Sequence, residues 1–502
     1  MWLSMTTRRV GSMGVTMNPC NSSLSRPPGQ WTTRAQRGLV QARAFKLNFS
    51  TGGNAKVGAL AVTEEPKTQV PVRIERSFAP GEKPRLVILG TGWASARLAQ
   101  DLDMSKYHLT VISPRNHMVF TPLLASTTVG TLDFRSVTVS MRNIQPGLNQ
   151  AKNSYYQAKA LEVNPEEQVV LCKSRDGRKF EVGYDELAIC TGAQGSTFGI
   201  PGVEKYALPL RDVNDADAIR SKLIKNICDA QIPGIAESEK RKKLQFVVVG
   251  GGPTGVEFSG ELSNLVKEDL MKMAPGVSSS IQITIIEARD ILGSFNPDLR
   301  LYAENILNKS GVQIVKAMVK EVTSTSVVLS DGSELDYGLL VWSTGVGPTP
   351  FINSLPFAKA RDGRLEVDEF MRVKDEDGNK FENIFSLGDC SCIISNPLPT
   401  TAQVAEQQGK WLSKHLNSLG ADEEAFQYKH LGQMSAMTTG SAVTDIGGGP
   451  KSDSPQLSLS GFFSWITWRG VYLTKLGSWR NKLYVILNWT TTQLLGRDLT
   501  RW

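Results

Sequence analysis

The chain has 502 residues, 40% hydrophobic and 21% charged, enough for two or three domains with ordinary soluble cores. Its formal charge of +7 is uneven: residues 1–63 hold eight Lys/Arg and no acid, and the first carboxylate is Glu64. The remainder carries 48 basic against 49 acidic residues, so the near-neutral body offers no electrostatic footprint for nucleic acid.

Residues 1–63 read as a disordered transit peptide: rich in Arg, Ser and Thr, free of acids, with no apolar run long enough for a secretory signal. Mitochondrial and chloroplast peptides look alike on these criteria. The six cysteines (Cys20, Cys172, Cys190, Cys228, Cys390, Cys392) form no Cys-x-x-Cys pair, which argues for a reducing compartment and against a zinc site.

A loose linker over about 64–83 leads to a strand at Arg85–Leu89. It delivers the chain to Gly90-Thr91-Gly92-Trp93-Ala94-Ser95, which opens a helix through Leu102. A strand, a glycine-rich turn and a helix N-terminus together bind a dinucleotide pyrophosphate on backbone N–H groups. The next strand, His108–Ile112, ends in Ser113-Pro114-Arg115-Asn116 where an acid for the ribose hydroxyls is the usual residue. Ser113 can bond a ribose and Arg115 can reach a pyrophosphate, but the loop alone does not assign this site. Phe120-Thr121-Pro122-Leu123-Leu124 follows, then a β-rich stretch ending at Glu186–Cys190 and Thr191-Gly192-Ala193.

After helical, charged sequence to Lys243, the pattern repeats. Phe246–Val249 precedes Gly250-Gly251-Gly252-Pro253-Thr254-Gly255, which opens a helix of about 18 residues closed at Pro275-Gly276. The next strand ends in Glu287. A carboxylate there accepts bonds from both ribose hydroxyls and repels a 2′-phosphate, favouring NADH over NADPH. A second β-rich stretch reaches Leu339–Trp342 and Ser343-Thr344-Gly345. The order strand, glycine loop, helix, strand, meander, strand, Thr-Gly thus occurs twice. Asn383 to Asp389 returns to the first domain and ends in Gly388-Asp389, an acid placed to bond a flavin ribityl hydroxyl. Neither loop helix holds a cysteine, so a thiol relay of the disulfide-reductase kind is disfavoured, and no cluster has metal-ligand spacing.

Gly447-Gly448-Gly449-Pro450 and the serines after it read as a linker. The last 42 residues hold five of the ten tryptophans, six basic residues and one acid. Their longest uncharged run, Leu483–Gly496, is 14 residues, against the ~20 needed to span a bilayer. Aromatics interleaved with cations fit a segment lying in the headgroup region, an amphipathic cover for the core or dimer interface, or both.

Taken together, these motifs resemble the type II (alternative, rotenone-insensitive) NADH:quinone oxidoreductases of the plant and algal internal kind. The carrying residues are the two loops, Ser113 to Asn116, Phe120 to Leu124, Val256-Glu257, Gly388-Asp389, Ala402-Gln403-Val404-Ala405-Glu406-Gln407-Gln408 and the C-terminal Trp/Arg segment. The resemblance covers about residue 84 to the end. It implies an α/β fold of two Rossmann-like nucleotide-binding domains, the glutathione-reductase-like FAD/NAD(P) fold, with the second inserted in the first and C-terminal amphipathic membrane-associated helices. FAD would sit in residues 84–215 and 350–450, NADH in 240–349, and 456–502 would anchor the chain to a membrane.

The resemblance places FAD against Gly90, Gly92, Trp93, Ala94, Ser113, Pro114, Arg115, Thr121, Thr191, Gly192, Gly388 and Asp389. It places NADH against Gly250, Gly252, Thr254, Gly255, Glu287, Thr344 and Gly345. Gln403 and Gln407 would meet the quinone, and Glu257 the nicotinamide. Helix-surface hydrogen bonding is the plainer role for the glutamines, and helix N-terminal charge for Glu257. Some relatives carry a histidine where this chain has Glu406, so a role for that histidine does not transfer. The implied activity is non-electrogenic, FAD-dependent NADH oxidation by ubiquinone or plastoquinone. The implied protein is a peripheral homodimer on the matrix side of the mitochondrial inner membrane, or on the stromal side of the thylakoid. A sulfide:quinone oxidoreductase or other FAD-dependent disulfide or ferredoxin reductase shares the fold, with Cys190 and Cys390 candidates by position. A nucleotide-sensing flavoprotein is a further alternative.

Overall fold

Two parallel sheets with the same strand order organise the chain. The computed structural model describes residues 72–74, 81–419, 424–446 and 457–500, all within the unit Gln69–Trp502. The expected transit peptide, the Gly447–Pro450 linker and Trp502 lie outside the described residues.

In the first sheet the parallel strands run Ser154–Asn164, His108–Ser113, Arg85–Leu89, Glu186–Ile189, Lys380–Ser386. In the second they run Val312–Lys316, Gln282–Glu287, Gln245–Val249, Leu339–Trp342, Leu208–Pro209. In each, the glycine-loop strand is central, flanked by the ribose strand and the Thr-Gly strand. A three-stranded antiparallel meander precedes each Thr-Gly strand, continuous with the first sheet and forming a sheet of its own beside the second. The central strands read as unbroken Val/Ile/Leu runs because both faces are covered, and Leu86 to Leu89 and Phe246 to Val249 are all buried; in the second sheet Phe246 and Val248 pack with the helix residues Phe258 and Leu262, and Val247 and Val249 with Val322, Val327 and Leu329 of the meander. The final strand of the first sheet comes from residues 380–386, so the second nucleotide domain is inserted in the first. Its entry and exit strands, Gln194–Gly195 and Val346–Gly347, pair antiparallel.

The sheets have separate cores. Leu109, Leu187, Phe385 and Leu412 belong to one, and Phe258, Leu262, Ile285 and Val341 to the other. Leu124, Ala125 and Val129 follow the first ribose strand yet pack into the second core.

The first loop helix is Trp93–Asp101 and the second Pro253–Leu265. The second continues through a π turn, Val266–Leu270, and ends by Met273, before Pro275. The helix Ala402–Asn417 crosses the Trp93 helix at Gly409, where a Cβ would stand 2.3 Å from the Ala94 carbonyl oxygen.

Strands Gln433–Thr438, Ser441–Ile446 and Leu457–Gly461 form one antiparallel sheet. The border expected between residues 450 and 456 therefore runs through a folded unit. Helices Phe462–Lys475 and Trp479–Leu495 complete it, with Trp468, Leu476 and Val485 buried against Phe120, Leu123 and Leu132.

Candidate functional site

The two glycine loops have matching backbone geometry. Gly90 donates its N–H to Ile112 O at 2.8 Å, and Gly250 to Ile286 O at 2.9 Å. Their φ values, +107° and +113°, lie where L side chains are strained. A Cβ on Gly90 would meet Cys190 O at 2.3 Å, and one on Gly250 would meet the Thr344 side chain at 2.8 Å. Each loop is thus pressed onto its Thr-Gly strand end. At Gly255 a Cβ would fall 1.9 Å from Gly250 O. In the first loop Ser95 fills that third place, fully buried, with its hydroxyl donating to Gly92 O at 3.1 Å.

Gly92 and Gly252 are the N-caps of the two helices, and neither first turn has a side-chain cap. No described atom lies within 4 Å of a Cβ built on either. Uncapped N–H groups facing open space at a helix N-terminus suit an anionic diphosphate. The Thr191 hydroxyl, beside Gly192 at the first Thr-Gly, is buried without a hydrogen-bond partner and offers one more polar atom to a ligand.

At the ribose positions the loops differ. Glu287 Oε2 accepts the Gly251 N–H at 2.7 Å, and Oε1 accepts that of Arg289 at 3.0 Å. Ser113 Oγ pairs with Thr91 Oγ1 at 3.2 Å, and the Arg115 N–H reaches it at 3.4 Å. The Arg115 guanidinium forms an ion pair with Asp212, the N-cap of Val213–Asp229. Pro114 turns the chain there and its carbonyl accepts from Gln157 at 3.2 Å. Trp93 Nε1 donates to Thr121 Oγ1 at 3.2 Å, and the Trp93 ring lies 5.2 Å from that of Phe120. Thr254 is exposed in the first turn of its helix, and Thr344 and Gly345 sit half-buried at the second Thr-Gly.

Gly388, at φ +77°, packs between Ala94 and Ala405, and its N–H donates to Gln408 Oε1 at 2.6 Å. Asp389 is held 3.8 Å from Arg211, and burial pushes its carboxyl pKa up against that charge. Arg211 and Asp212 have no local motif to flag them, and Gln408 stands in the Ala402–Gln408 motif without an assigned role.

Glu257 lies inside the protein, where burial raises its pKa to about 8. Its Oε1 accepts from Ala436 N at 3.2 Å and from Trp468 Nε1 at 3.3 Å, so it faces the C-terminal unit. The two glutamines fasten the segment 428–432 to their helix. Gln403 accepts from Tyr428 and Leu431 and donates to Gly432 O; Gln407 exchanges two bonds with the Lys429 backbone. This is the helix-surface role.

Between them, Glu406 turns into a cavity of about 470 Å³ walled by Trp93, Met118, Phe120, Leu476 and Trp479. It meets Lys475 there at 3.2 Å. Sequence reasoning missed this pair because its partners are 69 residues apart. Cys190 and Cys390 are reduced and buried, and burial pushes both thiols up, opposite to what a redox pair needs.

The C-terminal helices expose a row of large apolar side chains, including Phe462, Phe463, Leu483, Leu494 and Leu495. No helix among the described residues is long and apolar enough to cross a membrane.

Comparison with known proteins bears on the same residues. Residues 84–409 match the pyridine nucleotide-disulphide oxidoreductase family, and 430–498 match the NDH2 C-terminal domain. An internal alternative NAD(P)H-ubiquinone oxidoreductase A1, mitochondrial, of Arabidopsis thaliana is 46% identical over 446 residues, covering 84% of this chain and 86% of that protein. The solved structure of NDH2 from Plasmodium falciparum in complex with NADH superposes with a TM-score of 0.77 at 26% identity. It covers 84% of this chain and 100% of that one. A sulfide:quinone oxidoreductase from Aquifex aeolicus, 18% identical with a TM-score of 0.62, covers 83% of this chain and 96% of its own and shares the fold.

Proposed function

The chain belongs to the pyridine nucleotide-disulphide oxidoreductase family, among its type II NADH dehydrogenases, and from that premise we propose which of its residues do the work. It is an FAD-dependent oxidoreductase that oxidises NADH and reduces a quinone, and its relatives are mitochondrial. Bound FAD would supply the two-electron chemistry that links NADH oxidation to quinone reduction.

The first loop supplies the FAD diphosphate cradle from the N–H groups after Gly92, with Trp93 and Ala94 in the first turn. Ser113 and Asp389 hold hydroxyl groups, and the unpartnered Thr191 hydroxyl with Gly192 faces the flavin. Thr121 fixes the Trp93 indole. Pro114 and Arg115 shape the rim, Arg115 through Asp212 rather than through direct charge on the diphosphate. The second loop holds NADH by Gly250, Gly252, Thr254 and Gly255, with Glu287 on the ribose and Thr344-Gly345 below the nicotinamide arm. The FAD domain comprises 84–215 and the return from 350, the NADH domain 240–349, and the C-terminal unit begins near 430.

The quinone occupies the 470 Å³ cavity beside Trp93, into which Glu406 and Lys475 project. Gln403 and Gln407 support its wall by holding 428–432. The carrying observation is that this cavity lies between the FAD loop helix and the C-terminal helices with their exposed apolar row. The exposed apolar row docks on the matrix face of the mitochondrial inner membrane. Residues 1–63 direct the chain there, and the protein works as a homodimer.

Steady-state NADH oxidation by a short-chain quinone, with FAD bound, tests the whole reading. Negligible turnover, or turnover that needs sulfide in place of NADH, would overturn it.

A further inference from the structure

Glu261 lies one turn beyond Glu257 on the Pro253–Leu265 helix and touches neither glycine loop. Its carboxylate joins three parts of the chain. Oε1 accepts from Ser126 Oγ at 2.7 Å and Oε2 from Thr131 Oγ1 at 2.7 Å. Arg497, from the end of the C-terminal segment, approaches Oε2 to 3.8 Å.

Arg497 is itself held. Its side chain is 3% exposed, donates to Asp269 at 2.5 Å and Glu268 at 2.9 Å in the π turn, and reaches Thr131 Oγ1 at 3.0 Å. Gly496 lets the chain arrive there, since a Cβ at that residue would press on Asp269 Oδ1 at 2.8 Å. Ser126 and Thr131 are buried in the wall of a cavity of about 540 Å³; water there takes over a hydroxyl's bond but not the charge that ties both hydroxyls to Arg497.

What lies on either side gives this node its meaning. Ser126 sits in the short helix Leu124–Thr128, which continues directly from the turn Thr121–Leu123. Thr121 accepts the Trp93 indole N–H in the first turn of the FAD-loop helix. On the other side, Glu261 shares a helix with Pro253, which follows the NADH-loop cap Gly252. A run of short, rigid pieces therefore connects one nucleotide loop to the other with Glu261 at the joint. The loops stand on two sheets with separate cores, so neither sheet by itself sets the gap between them. Transfer between two bound rings tolerates little error in that gap, since a misplacement of about 1 Å costs on the order of 100-fold in rate.

We propose that Glu261, held by Arg497, is a positioning residue that fixes the spacing of the FAD and NADH loops; this rests on the nucleotide assignment above. Hydride transfer then depends steeply on the joint, whereas quinone reduction at the Trp93 cavity feels it only through the Thr121–Trp93 bond.

The test uses full-length, FAD-loaded protein and two variants, Glu261→Ala and the double change Ser126→Ala with Thr131→Val. Three readings are taken: anaerobic flavin bleaching at saturating NADH, reoxidation by a short-chain quinone, and amide hydrogen exchange. The expected result in both variants is bleaching slowed about tenfold or more, reoxidation slowed by no more than a few-fold, and faster exchange confined to 121–131 and 253–265. Bleaching at the unaltered rate in either variant overturns the proposal. So does a loss confined to NADH affinity. If Glu261→Ala loosens the whole chain, the double variant decides by the same criteria. Failure of the unaltered protein to bleach with NADH contradicts the nucleotide assignment instead.

Discussion

The carboxylate of Glu287 accepts the backbone N–H of Gly251 at 2.7 Å, which ties the ribose strand to the middle of the second glycine loop. The other oxygen accepts the Arg289 N–H at 3.0 Å, so both are oriented, and on the proposed assignment the charge faces the 2′ position of the ribose. Glu287→Gln keeps one of the two acceptors and removes the repulsion. The ratio of kcat/KM for NADH over NADPH is expected to fall about tenfold, the equivalent of about 1.4 kcal/mol. An unchanged ratio removes Glu287 from cofactor choice.

Glu257 gives a pH dependence of stability with a definite sign. Its ordinary value is 4.5, and burial raises it to about 8, so over that interval the folded chain holds a proton that the unfolded chain has lost. The stability it contributes is full below pH 4.5 and is lost as pH rises through 8, by up to roughly 5 kcal/mol. Glu186, raised by burial to about 7, adds a smaller slope of the same sign. Denaturant midpoints of Glu257→Gln should therefore fall less steeply between pH 5 and 8 than those of the unaltered protein. Parallel curves would mean that Glu257 is ionised in the folded state.

The exposed apolar row predicts where the membrane is gripped. Phe463 is 78% and Leu495 84% exposed, and each would gain about 1.5–3 kcal/mol on burial in lipid. Phe463→Glu with Leu495→Glu should lower co-sedimentation with liposomes at least tenfold while soluble-quinone turnover persists. Undiminished co-sedimentation would place the grip elsewhere.

Gly409 marks the closest approach of two helices under the FAD loop. Gly409→Ala puts a methyl 2.3 Å from the Ala94 carbonyl oxygen, and backbone cannot step aside cheaply. A loss of about 1–3 kcal/mol and faster release of FAD are expected, read by thermal unfolding and flavin fluorescence. Unaltered melting would show that the helices can part.

What the sequence made legible was local. The two loops, their strands and the strand-end residues follow from short-range turn and helix-start chemistry, and the repeated order predicted the matching sheets. What it hid was long-range. Arg115 finds Asp212 across 97 residues, and Arg497 finds Asp269 across 228. No spacing rule announces such pairs. The resemblance points Gln403 and Gln407 toward the quinone; in the structure their amides bond 428–432, and Glu406 between them lines the cavity. A polar, glycine-rich stretch after Ile446 predicts a border, yet the strands Ser441–Ile446 and Leu457–Gly461 on either side of it pair in one sheet.

The central claim is that NADH on the second loop delivers electrons to a quinone beside the first. Anaerobic stopped-flow with FAD-loaded protein tests it most directly. NADH should bleach the flavin absorbance within the turnover time, and a short-chain quinone added next should restore it in full. Bleaching without restoration by quinone, or no bleaching at saturating NADH, would contradict the account.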